Sequence, residues 1–168
     1  MRYFDETLRV LSDSIIKLDE NCFEKLLNHC EKVIKNGNKI IVHTLIKTKD
    51  GYLVTKRSKQ ETTFPEYWDI PGGLSEYGEL PREAVIRETK EEVGLDIIPT
   101  KVIHEDSNLD KIKNLIFIRL VYLCELKSGI DDIILQEEEH SEYRFINSLE
   151  ELQSEKISPF LIEVFNNL

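Results

Sequence analysis

The chain has 168 residues, of which 40% are hydrophobic and 32% charged, and its formal net charge is −10. This length and balance predict one globular domain with room for one appended element. The acidic excess argues against binding to long nucleic acid or to an anionic membrane. No apolar run approaches the roughly 20 residues that span a bilayer. Cys22, Cys30 and Cys124 lack metal-ligand spacing and the start shows no secretory pattern, so we expect a cytoplasmic protein.

Residues 5–36 have the apolar spacing of a helix. The stripe consists of Phe23, Leu26, Leu27, Cys30, Val33 and Ile34. Asn36-Gly37 is typical of a helix end, and Asp19 or Asn21 could cap a second helix, so one rod and a helical hairpin both fit. We therefore predict a helical extension at residues 1–36, used for packing or for a homodimer interface, followed by a domain at residues 37–168.

From Lys39 onward the pattern predicts an α/β domain. β-branched residues on both sides of Lys49-Asp50-Gly51 predict a hairpin, and the apolar run before Pro71 predicts a short strand. Residues 115–126 are apolar on both faces, which indicates a central strand. The predicted strands cover residues 40–48, 52–57, 67–70, 95–103, 115–126 and 143–146. The predicted helices cover residues 80–93, 148–153 and 159–166.

The helix at residues 80–93 combines an apolar side with a cluster of carboxylates. At about 100° per residue, the side expected to face a sheet consists of Val85, Ile86, Thr89 and Val93. Glu88, Glu91 and Glu92 stand at i, i+3 and i+4, where like charges repel one another. Clustered hard oxygen ligands are what Mg²⁺ or Mn²⁺ prefers, usually with waters and substrate phosphates completing the shell. Gly72 and Gly73 would let the backbone approach such a site closely.

The spacing of these residues resembles the Nudix box, G-x5-E-x7-R-E-U-x-E-E-x-G-U, where U is a bulky aliphatic residue. Gly73 and Glu79 are followed by Arg87-Glu88-Thr89-Lys90-Glu91-Glu92-Val93-Gly94-Leu95, so every fixed polar and glycine position matches. Thr89 departs from the aliphatic pattern and leaves a hydroxyl to satisfy, and Leu80 stands where a capping Thr or Ser is more usual. Trp68-Asp69-Ile70-Pro71-Gly72 and the strand order also look like this family, whereas residues 1–36 do not.

The resemblance implies a Nudix-type α/β/α sandwich with a mixed sheet, preceded by the helical extension. It also implies a hydrolase that uses Mg²⁺ or Mn²⁺ to cleave nucleoside diphosphates linked to another moiety. Glu88 and Glu92 match the principal metal ligands, Glu91 matches a further ligand or a water-orienting carboxylate, and the Gly72 carbonyl is a possible additional ligand. Arg87 and Glu79 match the pair that braces the loop against the helix. The structural positions of the box are Gly73, Glu79 and Gly94.

The box does not identify the general base, which in this family is a box glutamate or an acidic residue from another loop. Among residues 137–139 we favour Glu139, beside Glu91 within the box, and we expect His140 to be a surface residue. Arg57 is the candidate partner for substrate phosphate. Trp68 could stack on a base or pack in the core.

Three functions fit these residues. The first is hydrolysis of a small nucleotide-like diphosphate, with a lean towards a nucleoside triphosphate or oxidised nucleotide. ADP-ribose or a nucleotide sugar is the nearest alternative, although ADP-ribose enzymes of the family often have a proline about sixteen residues beyond the box, and none lies between Pro99 and Pro159. The second is a non-catalytic nucleotide sensor, which commonly lacks box carboxylates. The third is diphosphate isomerisation, which needs a pocket cysteine that this chain does not place well.

Overall fold

The computed structural model describes residues 39–112, 115–127 and 133–168, so the predicted helical extension lies outside the described part of the chain. The described residues form seven strands and two α-helices, with a short 3₁₀ turn between the last strand and the last helix. In chain order they are β1 (Lys39–Thr48), β2 (Gly51–Arg57), β3 (Trp68–Asp69), β4 (Gly72–Leu74), α1 (Pro81–Val93), β5 (Ile97–Asp110), β6 (Leu115–Leu126), β7 (His140–Ile146), the 3₁₀ turn (Leu149–Leu152) and α2 (Pro159–Asn166).

The strands form a mixed sheet. β1 lies between β6, to which it is parallel, and β4, to which it is antiparallel, and β5 completes this part as the antiparallel neighbour of β6. β2 pairs with β3 and β7. The predicted hairpin is confirmed, but β1 and β2 pair only at Lys47↔Tyr52 and Thr48↔Gly51, after which they enter different parts of the sheet. The central position predicted for residues 115–126 is also confirmed.

The two helices cover opposite faces of the sheet. Side chains alternate between the two faces along each strand, so β1 contributes residues to the core under each helix. Val42 and Ile46 of β1 share one core cluster with Val85 of α1. Leu45, from the same strand, belongs to a second cluster with Leu161 of α2. The result is the predicted α/β/α sandwich with a mixed sheet.

Local signals fix both ends of α1. Leu80 is the extended N-cap residue and has no side-chain cap hydrogen bond, but its N–H donates to the Glu83 carboxylate at 3.1 Å, which is one of the two bonds of a capping box. Gly94 ends the helix in the left-handed conformation, with φ of 74°. The prediction that Ile86 faces the sheet is wrong, because Ile86 is 37% exposed and the neighbouring Ala84 is fully buried instead. The side of α1 that faces the sheet therefore lies closer to Ala84 than the sequence predicted. The small side chain of alanine gives little hydrophobic signal in the sequence.

Three strands differ from the sequence prediction. β5 continues to Asp110 rather than ending near residue 103, and β7 begins at His140 rather than at residue 143. β4 was not predicted, because two of its three residues are glycines and its place is set by pairing with β1.

Among the described residues, none of the helices has both the length and the apolar character needed to cross a membrane.

Candidate active site

Two adjacent glycines bring β4 against α1. A Cβ atom on Gly72 would lie 2.6 Å from the Cα of His43, and the residue has φ of +155°, which favours glycine. A Cβ atom on Gly73 would lie 2.5 Å from the Cδ of Glu88. A side chain at position 72 would therefore collide with the neighbouring strand β1. A side chain at position 73 would collide with the Glu88 carboxylate.

Glu92 is the buried centre of the site. Its side chain is 3% exposed, and its Oε2 accepts a hydrogen bond from the Gly72 N–H at 2.8 Å. The same oxygen lies 3.0 Å from the Nε2 of His140. Burial raises the pKa of Glu92 to about 7, although the Gly72 N–H favours the ionised form. Glu92 is thus a carboxyl group that titrates near neutral pH in the absence of a cation.

The turn before β7 brings Glu139 and His140 to Glu92. The Gln136 N–H donates to the Glu92 carbonyl at 2.9 Å, and the His140 N–H donates to the Gln136 carbonyl at 2.9 Å, so the turn is attached to the end of α1. Ligand atoms of Glu92, Glu139 and His140 all lie within 4.8 Å of one another. Burial, together with the nearby Glu92, raises the pKa of Glu139.

The prediction that His140 lies on the surface is wrong. Its side chain is 3% exposed, and burial lowers its pKa to about 4, which leaves the ring neutral at pH 7. A neutral ring can donate its Nε2–H to Glu92 whenever that carboxyl group is ionised. The acidic run at residues 137–139 concealed the position, since it is typical of a solvated loop. The burial of the His140 ring follows from the pairing of Arg57 with His140 across β2 and β7, which the local sequence does not reveal.

Arg87 braces the remaining box carboxylates. Its guanidinium donates to both oxygens of Glu79, at 2.9 and 2.8 Å, as the predicted brace requires. It also donates to Glu88 at 2.8 Å and to Glu91 at 3.0 Å. The hydrogen bonds from Arg87 hold the pKa of Glu79 below its usual value, whereas burial raises the pKa of Glu88. Glu91 is the most exposed of the three helix carboxylates, with 53% of its side chain accessible.

Thr89, the departure from the box pattern, is satisfied within the core. Its Oγ1 donates to the Val85 carbonyl at 2.6 Å and lies 2.6 Å from the Oγ1 of Thr44 on β1. The hydroxyl that the sequence left unexplained therefore joins α1 to the central sheet.

Arg57 and Trp68, the two predicted substrate contacts, are placed differently. The Arg57 Nε donates to the Thr63 carbonyl at 2.8 Å, and its guanidinium pairs with Glu61. Its charge lies close enough to Glu92 to affect the pKa of that group. Trp68 is fully buried, with the Arg144 guanidinium carbon 4.6 Å from its ring centroid. This placement favours the core alternative for Trp68, because a buried ring has no face available to a base.

The family is evident from comparison with known proteins. The model of the NUDIX domain matches residues 37–168. An uncharacterized Nudix hydrolase of Listeria innocua is 30% identical over 133 residues, which cover 74% of this chain and 73% of that protein. Nucleoside triphosphatase NudI of Escherichia coli is 39% identical over 62 residues, only 37% of this chain and 44% of NudI. The crystal structure of a MutT protein from Methanosarcina mazei superposes with a TM-score of 0.62 at 26% identity, covering 77% of this chain and 91% of that one. The match of the domain model over residues 37–168 and the 30% identical relative show that this chain belongs to the Nudix hydrolase family of pyrophosphohydrolases.

Proposed function

We propose that the chain hydrolyses the diphosphate bond of a small cytoplasmic nucleotide, with a nucleoside triphosphate or oxidised nucleotide as the preferred substrate. The observation that carries this proposal is that Glu92, bound to the Gly72 N–H, lies within 4.8 Å of ligand atoms of Glu139 and His140, while the Glu88 carboxylate lies against the adjacent Gly73. The partial similarity to a protein named nucleoside triphosphatase supports the substrate preference. The absence of a proline between Pro99 and Pro159 favours it over ADP-ribose or a nucleotide sugar.

The residues of the site fit Mg²⁺ or Mn²⁺. All side-chain donors on α1 are carboxylate oxygens, the hard ligands that these ions prefer. The raised pKa values of Glu88 and Glu92 indicate buried acidic groups whose neighbours do not fully compensate their charge. Glu88 and Glu92 would hold the ion, with Glu91 and the Gly72 carbonyl as further ligands. When bound, such an ion neutralises phosphate oxygens and lowers the pKa of a water molecule.

The chain's own residues then supply positioning and proton transfer. Arg87 orients Glu88 and Glu91 from one side, and His140 fixes the Oε2 of Glu92 from the other. We assign to Glu139 the acceptance of the proton from the attacking water, because its carboxylate lies within 4.8 Å of a ligand atom of Glu92 and comes from a turn outside the box. Arg57 would bind a phosphate oxygen of the substrate.

A substrate screen tests this assignment. Nucleoside triphosphates, oxidised nucleotides, ADP-ribose and nucleotide sugars are incubated with the full chain and Mg²⁺ or Mn²⁺, and the released nucleotide and phosphate products are identified. We expect a nucleoside monophosphate and pyrophosphate from a triphosphate substrate. Faster turnover of ADP-ribose or a nucleotide sugar would overturn the substrate preference and leave the reaction class intact.

Substitutions of two glutamates on α1 test whether Glu92 is needed for hydrolysis. Glu92→Gln should lower kcat by about 10³-fold, because it removes a buried ligand whose interaction is realised in the transition state. Glu83→Gln, in the first turn of α1, is the matched control and should retain activity, since Gln also serves in a capping box. Nucleotide binding without metal-dependent hydrolysis by the wild-type chain would favour the sensor instead.

Glu91 is the competing general base, and two substitutions distinguish it from Glu139. If Glu139 accepts the proton, Glu139→Gln lowers kcat by about 10²–10⁴-fold while the metal concentration needed for half-maximal activity changes little. Glu91→Gln should instead raise that metal concentration. The opposite pattern would transfer the role of base to Glu91.

A further inference from the structure

A second group of potential metal ligands lies on the opposite face of the sheet from the Nudix helix. His104 and Asp106 stand two residues apart on β5, and strand alternation places them on the same face. Glu163 is on α2, which packs over this face. One ligand atom from each residue lies within 4.8 Å of the other two. β5 and α2 therefore meet at a cluster of one imidazole and two carboxylates.

His104 carries the strongest indication of a missing ligand. Its side chain is only 9% exposed, and within the described part of the chain its Nε2 has no hydrogen-bond partner. The nearest acidic atom, the Oε1 of Glu163, is 3.6 Å away, beyond normal hydrogen-bond length. Buried polar nitrogens are nearly always paired, so this atom points to a group that occupies the space between it and the carboxylates.

Asp106 is held in position by Arg119 of β6. The Arg119 Nε donates to the Oδ1 of Asp106 at 2.7 Å, and a second guanidinium nitrogen pairs with Oδ2. The guanidinium also lies 4.2 Å from the ring centroid of Phe160, which fixes it from the other side. Ligating carboxylates commonly receive such hydrogen bonds from outside the coordination shell. Asp106, Glu163 and Arg119 together carry one net negative charge, which attracts a divalent cation.

We propose that His104, Asp106 and Glu163 form a second metal site, selective for Zn²⁺ or a similar transition-metal ion, that joins α2 to β5. An imidazole with two carboxylates suits zinc, whereas the clustered carboxylates of the Nudix helix suit magnesium. Zinc bonds of about 2.0–2.2 Å place tetrahedral ligands roughly 3.3–3.6 Å apart, so ligand atoms that lie within 4.8 Å of one another would have to close by at most about 1.5 Å. Glu163 can supply most of this movement, since 48% of its side chain is exposed. Water would complete the shell.

Zinc binding to a Glu88→Gln/Glu92→Gln double variant, measured by calorimetry, tests the proposal on a chain whose Nudix site has lost its two principal metal ligands. We expect one zinc ion at the cluster, and a rise in Tm when zinc is added. On this background, His104→Gln and Glu163→Gln should each weaken binding by about tenfold or more. Glu105→Gln is the matched control, because it removes an equal charge from the same strand but on the other face, and it should keep the affinity.

A second measurement uses the unaltered chain. In ¹H–¹⁵N spectra of the histidine rings, zinc should shift the His104 Nε2 resonance, which is identified by its loss in His104→Gln. Equal zinc affinity in His104→Gln, Glu163→Gln and Glu105→Gln would overturn the proposal. An unshifted His104 resonance at saturating zinc would do the same. Hydrolysis is not part of either readout, so the outcome is independent of the proposed function.

Discussion

Gly73→Ala is expected to impair catalysis without unfolding the protein. The new Cβ would lie 2.5 Å from the Glu88 Cδ, whereas ordinary contact begins at 3.4 Å. Glu88 must therefore retreat by about 1 Å. The obstacle is the end of a side chain, and Gly73 is not among the glycines with positive φ, so little backbone strain should follow.

A displacement of about 1 Å in a catalytic group can lower the rate by roughly 10²-fold, which corresponds to about 2.7 kcal/mol in the activation barrier. We expect Gly73→Ala to show this loss in kcat at saturating Mg²⁺, measured on the preferred substrate. Its free energy of unfolding in urea should change by less than about 1 kcal/mol.

Two neighbouring glycines provide the comparison. In Gly72→Ala the Cβ would lie 2.6 Å from the Cα of His43, a backbone atom that cannot rotate away, so stability should fall together with activity. Gly78 has φ of +86° and no atom within 4 Å of an added Cβ, so Gly78→Ala should cost about 1–2 kcal/mol of stability through strain and retain most of the activity. Wild-type kcat in Gly73→Ala, or a loss of stability as large as that of Gly72→Ala, would refute the assigned contact with Glu88.

Three further predictions concern stability. Thr89→Val should cost about 1–3 kcal/mol in urea unfolding because it leaves the buried Thr44 hydroxyl without its partner, and adding Thr44→Val should recover part of the loss. Burial lowers the pKa of His43 from 6.5 to about 4, so the unfolded chain takes up the proton first as pH falls. Stability should therefore decline between pH 6.5 and about 4, by up to about 3 kcal/mol from this group, and His43→Leu should flatten the decline in urea titrations across that range. Leu161→Ala removes a fully buried side chain between α2 and the sheet and should cost about 2–5 kcal/mol with KM unchanged; a smaller cost with altered KM would contradict its assignment to the core.

The sequence by itself determined α1 and its carboxylates. Helix period, Pro81 at the start and Gly94 at the end are local signals, and residues three and four positions apart must share a face of any helix. The hairpin and the central strand followed from equally local patterns. The acidic run also identified Glu139 as a candidate, because residue type and position were enough to propose it.

Only the tertiary structure decided which distant residues complete the site. The contact between His140 and Glu92 spans 48 positions and depends on the pairing of β2 with β7. Arg57 lies near Glu92 for the same reason, and the burial of Trp68 favours the core alternative for its ring. Sheet register is set by side-chain packing across the whole domain, so contacts between strands leave little trace in a local pattern. A helix, in contrast, is closed by bonds between residues four apart, and the sequence specifies it directly.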